Sequence, residues 1–272
     1  MHRNRKPDIS FGMLTWNRAP MLRDCLKSFF AALDPSLSHQ IVIIDNGSTD
    51  GTRSVLEEYR DHPEVTIVYN GKNEHFATYK KLFPMLKADI LVDVDDDVIE
   101  FPQHFDRILL EYMAVYNDYG FLALNVVVDE KTTGARPTTP YVDDVRYMSG
   151  RKMVVEEGEA GGWCAAFRRR HFRLIRPFFN LLVMRTLFNG RIGGAVWMED
   201  AVINGFVRWL FRKRVGIIRD AVCLHADSPY YAKKYSLLKR EMEKYERLQD
   251  NRNCLLYRAT STSNEVETVC SP

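Results

Sequence analysis

The sequence lacks a long apolar run, a strong charge excess and paired cysteines. No stretch approaches the roughly 18 to 20 apolar residues that span a bilayer, and the first ten residues lack the apolar core of a signal peptide. The net charge is only +2, whereas a protein that tracks nucleic-acid phosphates would show a clear basic excess. The 5 cysteines form no CxxC pair, so neither a zinc site nor a redox couple is indicated. We therefore expect a cytoplasmic protein with no nucleic-acid partner.

Short apolar runs alternate with segments of helical spacing over the first hundred residues, in a 272-residue chain that is 46% hydrophobic and can bury a substantial core. The runs that predict strands are 9–15, 40–44, 65–69 and 90–94. The segments that predict helices are 21–30, 52–59 and 79–86. This alternation predicts an α/β fold with a mostly parallel sheet, which binds ligands at the carboxyl ends of its strands.

The pattern becomes less regular after residue 120. Residues 121–128 are strand-like, and 129–145 form a stretch rich in Thr, Pro and Asp that predicts a loop. Residues 229–248 have a stripe of tyrosine and leucine at helical spacing, which can dock back on the domain or form a homodimer contact. The last residues, 259–272, predict a frayed tail.

An acidic cluster directly follows the predicted strand 90–94. Asp93, Asp95, Asp96 and Asp97 place four carboxylates where an apolar sheet edge meets solvent, and their repulsion is costly unless a cation or donor groups neutralise it. Carboxylate oxygens suit Mg²⁺ or Mn²⁺, and a few such ligands leave coordination positions open for a diphosphate. A solvated acidic loop or a helix N-terminus is the alternative interpretation.

Six motifs in order along the chain resemble the family 2 glycosyltransferases, the large inverting group with the GT-A fold. The matching segments are Thr15-Trp16-Asn17-Arg18, residues 43–52 (IIDNGSTDGT), Asp95-Asp96-Asp97, residues 166–169 (AFRR), residues 197–200 (WMED) and residues 222–225 (VCLH). The resemblance implies an α/β GT-A fold, Rossmann-like with a mostly parallel central sheet and flanking helices, followed by a helical C-terminal extension. It implies a donor-binding half over 1–120, an acceptor-binding half with the catalytic base over 121–228, a helical segment over 229–258 and a tail over 259–272.

The resemblance also implies the residues that bind a nucleotide-sugar donor and a divalent cation. The donor contacts carried over from the family are Thr15, Asn17, Arg18, Asp45, Lys80, Asp95 and Asp96. Asp45 can accept from an imide N–H, which favours UDP as the carrier. Asp97 would bind Mn²⁺ or Mg²⁺ at the diphosphate, and His225 lies where many GT-A domains have a histidine near the metal. A lone histidine is more often structural, and Lys80 can equally be an exposed helix charge. Asp93 is expected to be structural.

Glu199 and Asp200 resemble the acidic pair of the family in which the aspartate is the general base. An inverting transfer needs one carboxylate to take the proton of the acceptor hydroxyl as it attacks the anomeric carbon. Asp200 is predicted to have that role, and Glu199 to orient the base or to meet acceptor hydroxyls. The alternative is a carboxylate that only stabilises the N-terminus of the following helix.

Two segments are candidates for the acceptor side, where a saccharide, a lipid-linked molecule or a small molecule would bind. Gly162 and Trp163 precede a predicted strand, and Trp163 is either a platform for a sugar ring or a core residue beside a tight turn. Residues 168–191 carry seven arginines and no acidic residue, interleaved with apolar side chains. Such a stretch binds an anionic surface at the inner membrane face or a phosphorylated acceptor, or else packs its apolar side on the domain.

Two sequence signals are absent and narrow the predicted activity. The QxxRW motif of processive polysaccharide synthases is missing, which favours a single transfer. No glycine-rich GxGTR loop follows the first strand, which argues against a sugar nucleotidyltransferase. A catalytically inactive GT-A domain that binds sugar or acts as a scaffold is a further alternative, although the acidic motif and the candidate base are both present.

Overall fold

The computed structural model describes residues 6–132, 136, 140–185, 191–192, 195–196 and 199–247, which form a mixed α/β fold. The strands are β1 (Ile9–Thr15), β2 (His39–Asp45), β3 (Val65–Tyr69), β4 (Ile90–Asp95), β5 (Val98–Glu100), β6 (Tyr119–Val126), β7 (Val142–Met148), β8 (Arg151–Glu157), β9 (Cys164–Arg168), β10 (Arg191–Ile192), β11 (Ala195–Val196) and β12 (Arg214–His225). The helices are α1 (Ala19–Ala32), α2 (Thr52–Glu57), α3 (Tyr79–Met85), α4 (Phe105–Val115), α5 (Arg169–Arg185), α6 (Glu199–Trp209), α7 (Pro229–Lys234) and α8 (Leu238–Arg247). Residues His75–Thr78 add a 3₁₀ turn.

One central sheet runs through both predicted halves of the chain in the order β3-β2-β1-β4-β9-β6-β12-β8-β7, and β5 pairs with the end of β12. The first four strands of that order are mutually parallel. Strand β9 is antiparallel to β4 on one side and to β6 on the other. Because β9 runs the opposite way, its beginning lies beside the carboxyl end of β4. That edge of the sheet collects the candidate site residues, as the strand pattern predicts.

The core of the fold is built from strands that are apolar on both faces. Residues 41–44 of β2 are at most 1% exposed, as expected for a parallel strand covered by helices on each side. Helix α1 buries Leu22, Leu26 and Phe29 at helical spacing, and the ring of Phe29 meets that of Phe11 edge-on at 5.0 Å. The helices therefore fix the strand ends from which the polar loops emerge.

The stretch predicted as a loop over 129–145 is partly a strand, which corrects the sequence interpretation. Strand β7 begins at Val142 and pairs antiparallel with β8 at the edge of the sheet. Its side chains are exposed or half-buried on both faces, so the strand lacks the alternation of buried and exposed residues by which a strand is recognised. Residues 133–135 and 137–139 of the same stretch lie outside the described residues.

The C-terminal helical segment docks back on the domain, one of the two alternatives for its apolar stripe. Tyr231 and Leu237 are buried in a small cluster with Met21 and Ile99, and the hydroxyl of Tyr235 donates to Asp24 at 2.6 Å. The homodimer contact stays a prediction, and the predicted tail 259–272 lies outside the described residues. Within the part of the chain that the structure describes, no helix is both long enough and apolar enough to cross a bilayer.

Candidate functional site

The acidic cluster and the candidate histidine meet at the carboxyl edge of the sheet. Asp95 ends β4, and Asp96 and Asp97 form the turn into β5. His225 ends β12 and pairs with Val98 of β5, while the following amide, of Ala226, donates to the carbonyl oxygen of Asp97 at 2.8 Å. These backbone contacts bring Nε2 of His225 to 3.1 Å from Oδ1 of Asp97 and 3.6 Å from Oδ2 of Asp95.

Asp95, Asp97 and His225 fit a divalent cation by their chemistry and their arrangement. Each offers one ligand atom, and the three atoms lie within 4.8 Å of one another. The side chains of Asp97 and His225 are 4% and 9% exposed, whereas that of Asp95 is 32% exposed, so the group opens to solvent on one side. Burial alone would lower the pKa of His225, but the adjacent Asp97 and Asp95 raise it to about 9. Two carboxylates and an imidazole are a donor set that Mn²⁺ accepts.

Arg18 contacts the acidic cluster, and its predicted role as a direct donor contact stays a prediction. Its guanidinium is buried and forms ion pairs with Asp96 at 2.6 Å, Asp97 at 2.5 Å and Glu241 of α8 at 2.8 Å. Burial alone would lower the pKa of Arg18, but these carboxylates raise it well above its usual value. Asp96, also predicted to bind the donor, is 5% exposed and holds Arg18 through Oδ1.

The other predicted donor contacts lie around the ends of β1 and β2. Thr15 is 1% exposed, and its hydroxyl forms no hydrogen bond among the described residues. Asn17 has a left-handed backbone (φ 49°), and its side-chain oxygen accepts from the amide of Thr49 at 2.7 Å. Asp45 is fully buried and accepts from the amide of Ser48 and from Arg53. Asn17 therefore joins the two loops that border the predicted nucleotide pocket, whereas Asp45 holds the second of them from within.

Asn46, which the sequence interpretation did not single out, organises the next loop of the pocket. Its side-chain oxygen accepts from the hydroxyl of Thr78 at 2.8 Å, the amide of Glu74 at 3.0 Å and the side chain of Asn70 at 3.0 Å. The neighbouring Gly47 has φ +77°, and a Cβ there would lie 2.6 Å from the backbone of Lys72. The pair Asn46-Gly47 directly after β2 is the local sequence signal that could have drawn attention to Asn46.

Lys80 lies on α3, directly after the 3₁₀ turn, and is half-buried. The adjacent Lys81 is paired with Glu74 at 2.6 Å. A diphosphate contact by Lys80 stays a prediction.

Asp200 lies in the first turn of α6 and is held by backbone amides. Its Oδ2 accepts from the amide of Gly162 at 2.9 Å, and its Oδ1 accepts from the amide of Ala201 at 2.6 Å. Burial raises the pKa of Asp200, and these amide hydrogen bonds offset part of that increase. Helix α6 begins at Glu199, whose side chain lies outside the described part of the structure, as do residues 197–198.

Gly162 lies between two carboxylates and contacts the candidate base, and its predicted contact with the acceptor stays a prediction. A Cβ at Gly162 would lie 3.1 Å from Cβ of Asp200 and 3.5 Å from Oδ2 of Asp93. Asp93 is 1% exposed, and its carboxylate lies next to the backbone that holds Asp200. The sequence interpretation, which assigned Asp93 only a structural role, gave no sign of this proximity.

Trp163 is a core residue, which corrects its interpretation as an exposed sugar platform. It is 4% exposed, and its indole N–H donates to the carbonyl oxygen of Leu124 at 2.9 Å. Its ring centroid lies 6.0 Å from that of His225, and its carbonyl oxygen accepts from the amide of Asp95 at 2.9 Å. Trp163 therefore packs in the core beside His225 and Asp95, and its ring does not face solvent.

Comparison with protein families gives one match, to a model described as "Glycosyl transferase family 2", over residues 10–176. Two curated relatives are undecaprenyl-phosphate 4-deoxy-4-formamido-L-arabinose transferases. The protein of Edwardsiella ictaluri is 25% identical over 105 residues, and that of Pseudomonas fluorescens is 28% identical over 108 residues. These alignments cover 37% and 38% of this chain but only 32% of each relative, so the matched region spans about a third of their length.

The fold is similar to solved glycosyltransferase structures over nearly the whole chain. A mannosyltransferase from Pyrobaculum calidifontis, in complex with GDP-Man and Mn²⁺, has a TM-score of 0.58 at 17% identity and covers 94% of this chain and 70% of its own. Staphylococcus aureus TarS 1–349 with UDP has a TM-score of 0.56 at 12% identity, covering 91% and 70%. Glucosyl-3-phosphoglycerate synthase from Mycobacterium tuberculosis has a TM-score of 0.52 at 12% identity, covering 89% and 78%. The predicted GT-A fold is thus confirmed.

Proposed function

The chain belongs to glycosyl transferase family 2, and from that premise we propose that it transfers one sugar from a nucleoside-diphosphate sugar to an acceptor hydroxyl with inversion. The observation that carries this proposal is the placement of Asp200. It is a half-buried carboxylate with a raised pKa, fixed by two backbone amides beside the strand end that bears the acidic cluster. A carboxylate tuned in this way is suited to accept a proton at neutral pH.

The donor side of the proposal rests on the residues at the ends of β1, β2 and β4. The proposed carrier is UDP on the basis of neighbours in fold rather than of Asp45, whose carboxylate is fully buried and already accepts two hydrogen bonds. TarS and glucosyl-3-phosphoglycerate synthase are both known in complex with UDP. Asp95, Asp97 and His225 would hold Mn²⁺ or Mg²⁺, whose charge would offset that of the diphosphate.

The chemistry assigned to this chain is a single displacement. Asp200 accepts the proton of the acceptor hydroxyl while the oxygen of that hydroxyl forms a bond to the anomeric carbon. The bond from that carbon to the diphosphate breaks on the opposite face, and the nucleoside diphosphate leaves with the electron pair. The amides of Gly162 and Ala201 hold the Asp200 carboxylate in one orientation, so that little reorganisation is needed during the transfer.

A lipid-linked acceptor that carries a free hydroxyl is the favoured acceptor class, because both curated relatives are named for a lipid, undecaprenyl phosphate. Helices α5 and α6 provide a surface for such an acceptor. Phe178 lies against Phe206 and His171 against Phe211, so the two helices run antiparallel. The exposed side chains on and between them, which we call the basic–apolar face, are Arg170, Arg173, Leu174, Arg176, Phe178, Arg208, Trp209, Leu210 and Arg212.

Peripheral binding to an anionic membrane through this face follows from its composition. Leu174, Phe178 and Trp209 are 64%, 55% and 77% exposed, and the exposed charged residues described on α5 and α6 are arginines. Apolar side chains ringed by arginine suit the boundary between lipid head groups and acyl chains. Trp209 lies nine residues along α6 from Asp200, or about 14 Å at the rise of an α-helix, so a lipid-held acceptor would be near the base.

The test of the proposed function is a ligand panel on the full chain. The melting temperature is measured with UDP, GDP and other nucleoside diphosphates and their sugars, each with and without Mn²⁺, because a ligand that binds only the folded state raises it. We expect a cation-dependent increase with UDP ligands, and a loss of that dependence in Asp97→Ala. No shift with any nucleotide would favour an inactive scaffold, and formation of a nucleotide sugar from a nucleoside triphosphate and a sugar 1-phosphate, with release of pyrophosphate, would favour a nucleotidyltransferase.

A further inference from the structure

The C-terminal helix α8 contributes a buried acidic residue to the site. Glu241 is 3% exposed, although α8 is otherwise a strongly charged helix. Its Oε1 accepts from Nε of Arg18 at 3.1 Å and from Nη2 of Arg18 at 2.8 Å. Two contacts along one edge of a planar guanidinium fix both its position and its orientation. Glu241 therefore determines how Arg18 is presented to the rest of the site.

The opposite edge of the same guanidinium holds the acidic cluster. Nη1 of Arg18 donates to Oδ1 of Asp96 at 2.6 Å and to Oδ2 of Asp97 at 2.5 Å. With Oδ2 of Asp97 bound by Arg18, its other oxygen, Oδ1, faces His225 at 3.1 Å. Arg18 thus determines which oxygen of Asp97 is presented to Asp95 and His225.

The charge of Arg18 has a second effect, which Glu241 counteracts. A guanidinium next to Asp97 repels any cation that this carboxylate would bind, and the effect is large because the group is buried. Glu241 places a negative charge on the far edge of the guanidinium and offsets part of that repulsion. Through both the orientation of Arg18 and its own negative charge, Glu241 therefore favours the binding of a cation at Asp97.

The arrangement is held by contacts elsewhere on the C-terminal segment. Arg240 donates to the carbonyl oxygen of Trp16 through Nε at 3.2 Å and Nη2 at 3.1 Å, and its guanidinium lies 5.3 Å from the centroid of the Trp16 ring. Arg240 also donates to Oε1 of Glu241 at 2.5 Å. These contacts attach α8 to the loop after β1, so Glu241 approaches the acidic cluster from a fixed support.

We propose that Glu241 is a positioning residue for the cation site: acting through Arg18, it orients Asp97 and lowers the repulsion that a divalent cation meets there. This inference rests on the proposed function, because it assumes that Asp95, Asp97 and His225 take a divalent cation. It makes the C-terminal helix a part of the donor site.

The test measures Mn²⁺ binding to the full-length protein, alone and with saturating UDP, by the loss of the free Mn²⁺ paramagnetic resonance signal. The variants are Glu241→Gln, Glu241→Ala and, as a matched control on the same helix, Glu243→Gln. We expect Glu241→Ala to raise the dissociation constant for Mn²⁺ roughly 10- to 100-fold, the range seen when residues that orient metal ligands are replaced. Glu241→Gln should have a smaller effect in the same direction, and Glu243→Gln should match the wild type.

A double-mutant cycle with Arg18→Lys separates positioning from a general loss of stability. If Glu241 acts through Arg18, Glu241→Gln should have little further effect on Mn²⁺ binding in the Arg18→Lys background. Equal and additive effects in the two backgrounds would overturn the inference, as would wild-type Mn²⁺ affinity in Glu241→Ala. Failure of the wild type to bind Mn²⁺ under either condition would instead overturn the proposed cation site itself.

Discussion

At the scale of single residues, the candidate base is defined by its surroundings rather than by its place in a motif. Asp200 stands at the start of a helix, where an acidic residue commonly serves only the helix dipole. Two features separate it from that role: burial, which raises its pKa, and the amide of Gly162, which reaches it from another element. A side chain at position 162 would press on Asp200, because a Cβ there would lie 3.1 Å from that of Asp200.

Replacing Asp200 with asparagine tests its role as the base. Asp200→Asn keeps the size of the side chain and an oxygen for one amide, but it removes the group that accepts the proton. We expect the turnover number to fall roughly 100- to 10,000-fold, while the affinity for UDP with Mn²⁺ stays close to that of the wild type. Steady-state kinetics and nucleotide titration of the two proteins measure both quantities.

The pH profile adds an independent readout of the same residue. Because burial raises the pKa of Asp200, the wild-type activity should fall with decreasing pH at values above the usual range of an aspartate. Unchanged turnover in Asp200→Asn would contradict the assignment. A modest loss with a phosphate acceptor beside a severe loss with a hydroxyl acceptor would support the assignment, because an ionised phosphate has no proton for a base to remove.

Some residue roles were predictable from the sequence and others were not, for a physical reason. The gathering of Asp95, Asp97 and His225 follows from three strand ends that share one edge of a sheet. The contact of Arg18 with Glu241 joins residues 223 positions apart through a helix whose docking no local pattern reveals. The residues that flank Trp163 in the sequence fit an exposed ring as well as a buried one. Its position depends on how β9 packs in the sheet.

At the scale of elements, α5 and α6 are joined by a histidine that the fold keeps neutral. His171 is 6% exposed, its ring stacks on Phe211 at 4.4 Å, and its Nδ1 has no hydrogen bond among the described residues. Burial, together with the nearby positive charges of Arg170, Arg168 and Lys213, lowers the pKa of His171 to about 4. Protonation would place a charge inside this contact without a partner.

His171 should therefore make the stability of the protein depend on pH. The unfolded chain protonates this histidine near its ordinary pKa of 6.5, whereas the folded chain does so only near 4. Its contribution is fully present above pH 6.5 and is lost as the pH falls towards 4, with a slope of up to about 1.4 kcal/mol per pH unit. His171→Phe keeps the ring and removes the titration, so we expect the free energy of unfolding to fall less steeply in this window.

Denaturant unfolding at several pH values measures the difference between wild type and His171→Phe. The control is His62→Phe, because His62 also contacts a phenylalanine ring, that of Phe30 at 5.0 Å, but is only partly buried. The same slope in His171→Phe as in the wild type would show that His171 is accessible to protons in the folded state.

Strands and helices could be predicted from the sequence where they bury apolar residues, and could not be predicted where they do not. Strand β1 was predicted over 9–15 and lies at Ile9–Thr15, because its apolar run is bounded by a polar loop. Strand β7 escaped prediction because its side chains, among them Val142 and Tyr147, remain exposed at the sheet edge. Pairing with β8, and not a hydrophobic pattern, makes this segment a strand.

At the scale of the whole molecule, helix α6 connects the candidate site with the basic–apolar face. Asp200, the candidate base, lies at the start of α6, and Trp209 of the face lies at its end. The family assignment alone says nothing about this face, because one fold serves many acceptors. The face differs from an ordinary solvated surface because Trp209 and Phe178 are exposed beside arginines that form no ion pair among the described residues.

Membrane binding through this face can be measured by co-sedimentation of the full chain with vesicles. We expect binding to vesicles rich in phosphatidylglycerol at low salt, and weak binding to phosphatidylcholine vesicles, because the arginines attract anionic head groups. Each arginine near the surface contributes about 1 kcal/mol, so Arg173→Ala with Arg208→Ala should lower the partition coefficient roughly thirty-fold. Trp209→Ser should also weaken binding, through the loss of apolar area.

The control for the apolar part is Tyr147→Ser, because Tyr147 is 68% exposed on the edge strand β7, well outside the basic–apolar face. If Tyr147→Ser and Trp209→Ser reduce binding equally, the interaction is a general property of the surface and the face has no special role. If the arginine variant keeps wild-type vesicle binding but loses transfer to a lipid-linked acceptor, the arginines recognise the acceptor itself. Loss of both activities together, with transfer to a water-soluble acceptor intact, is the result expected when the membrane brings the acceptor to Asp200.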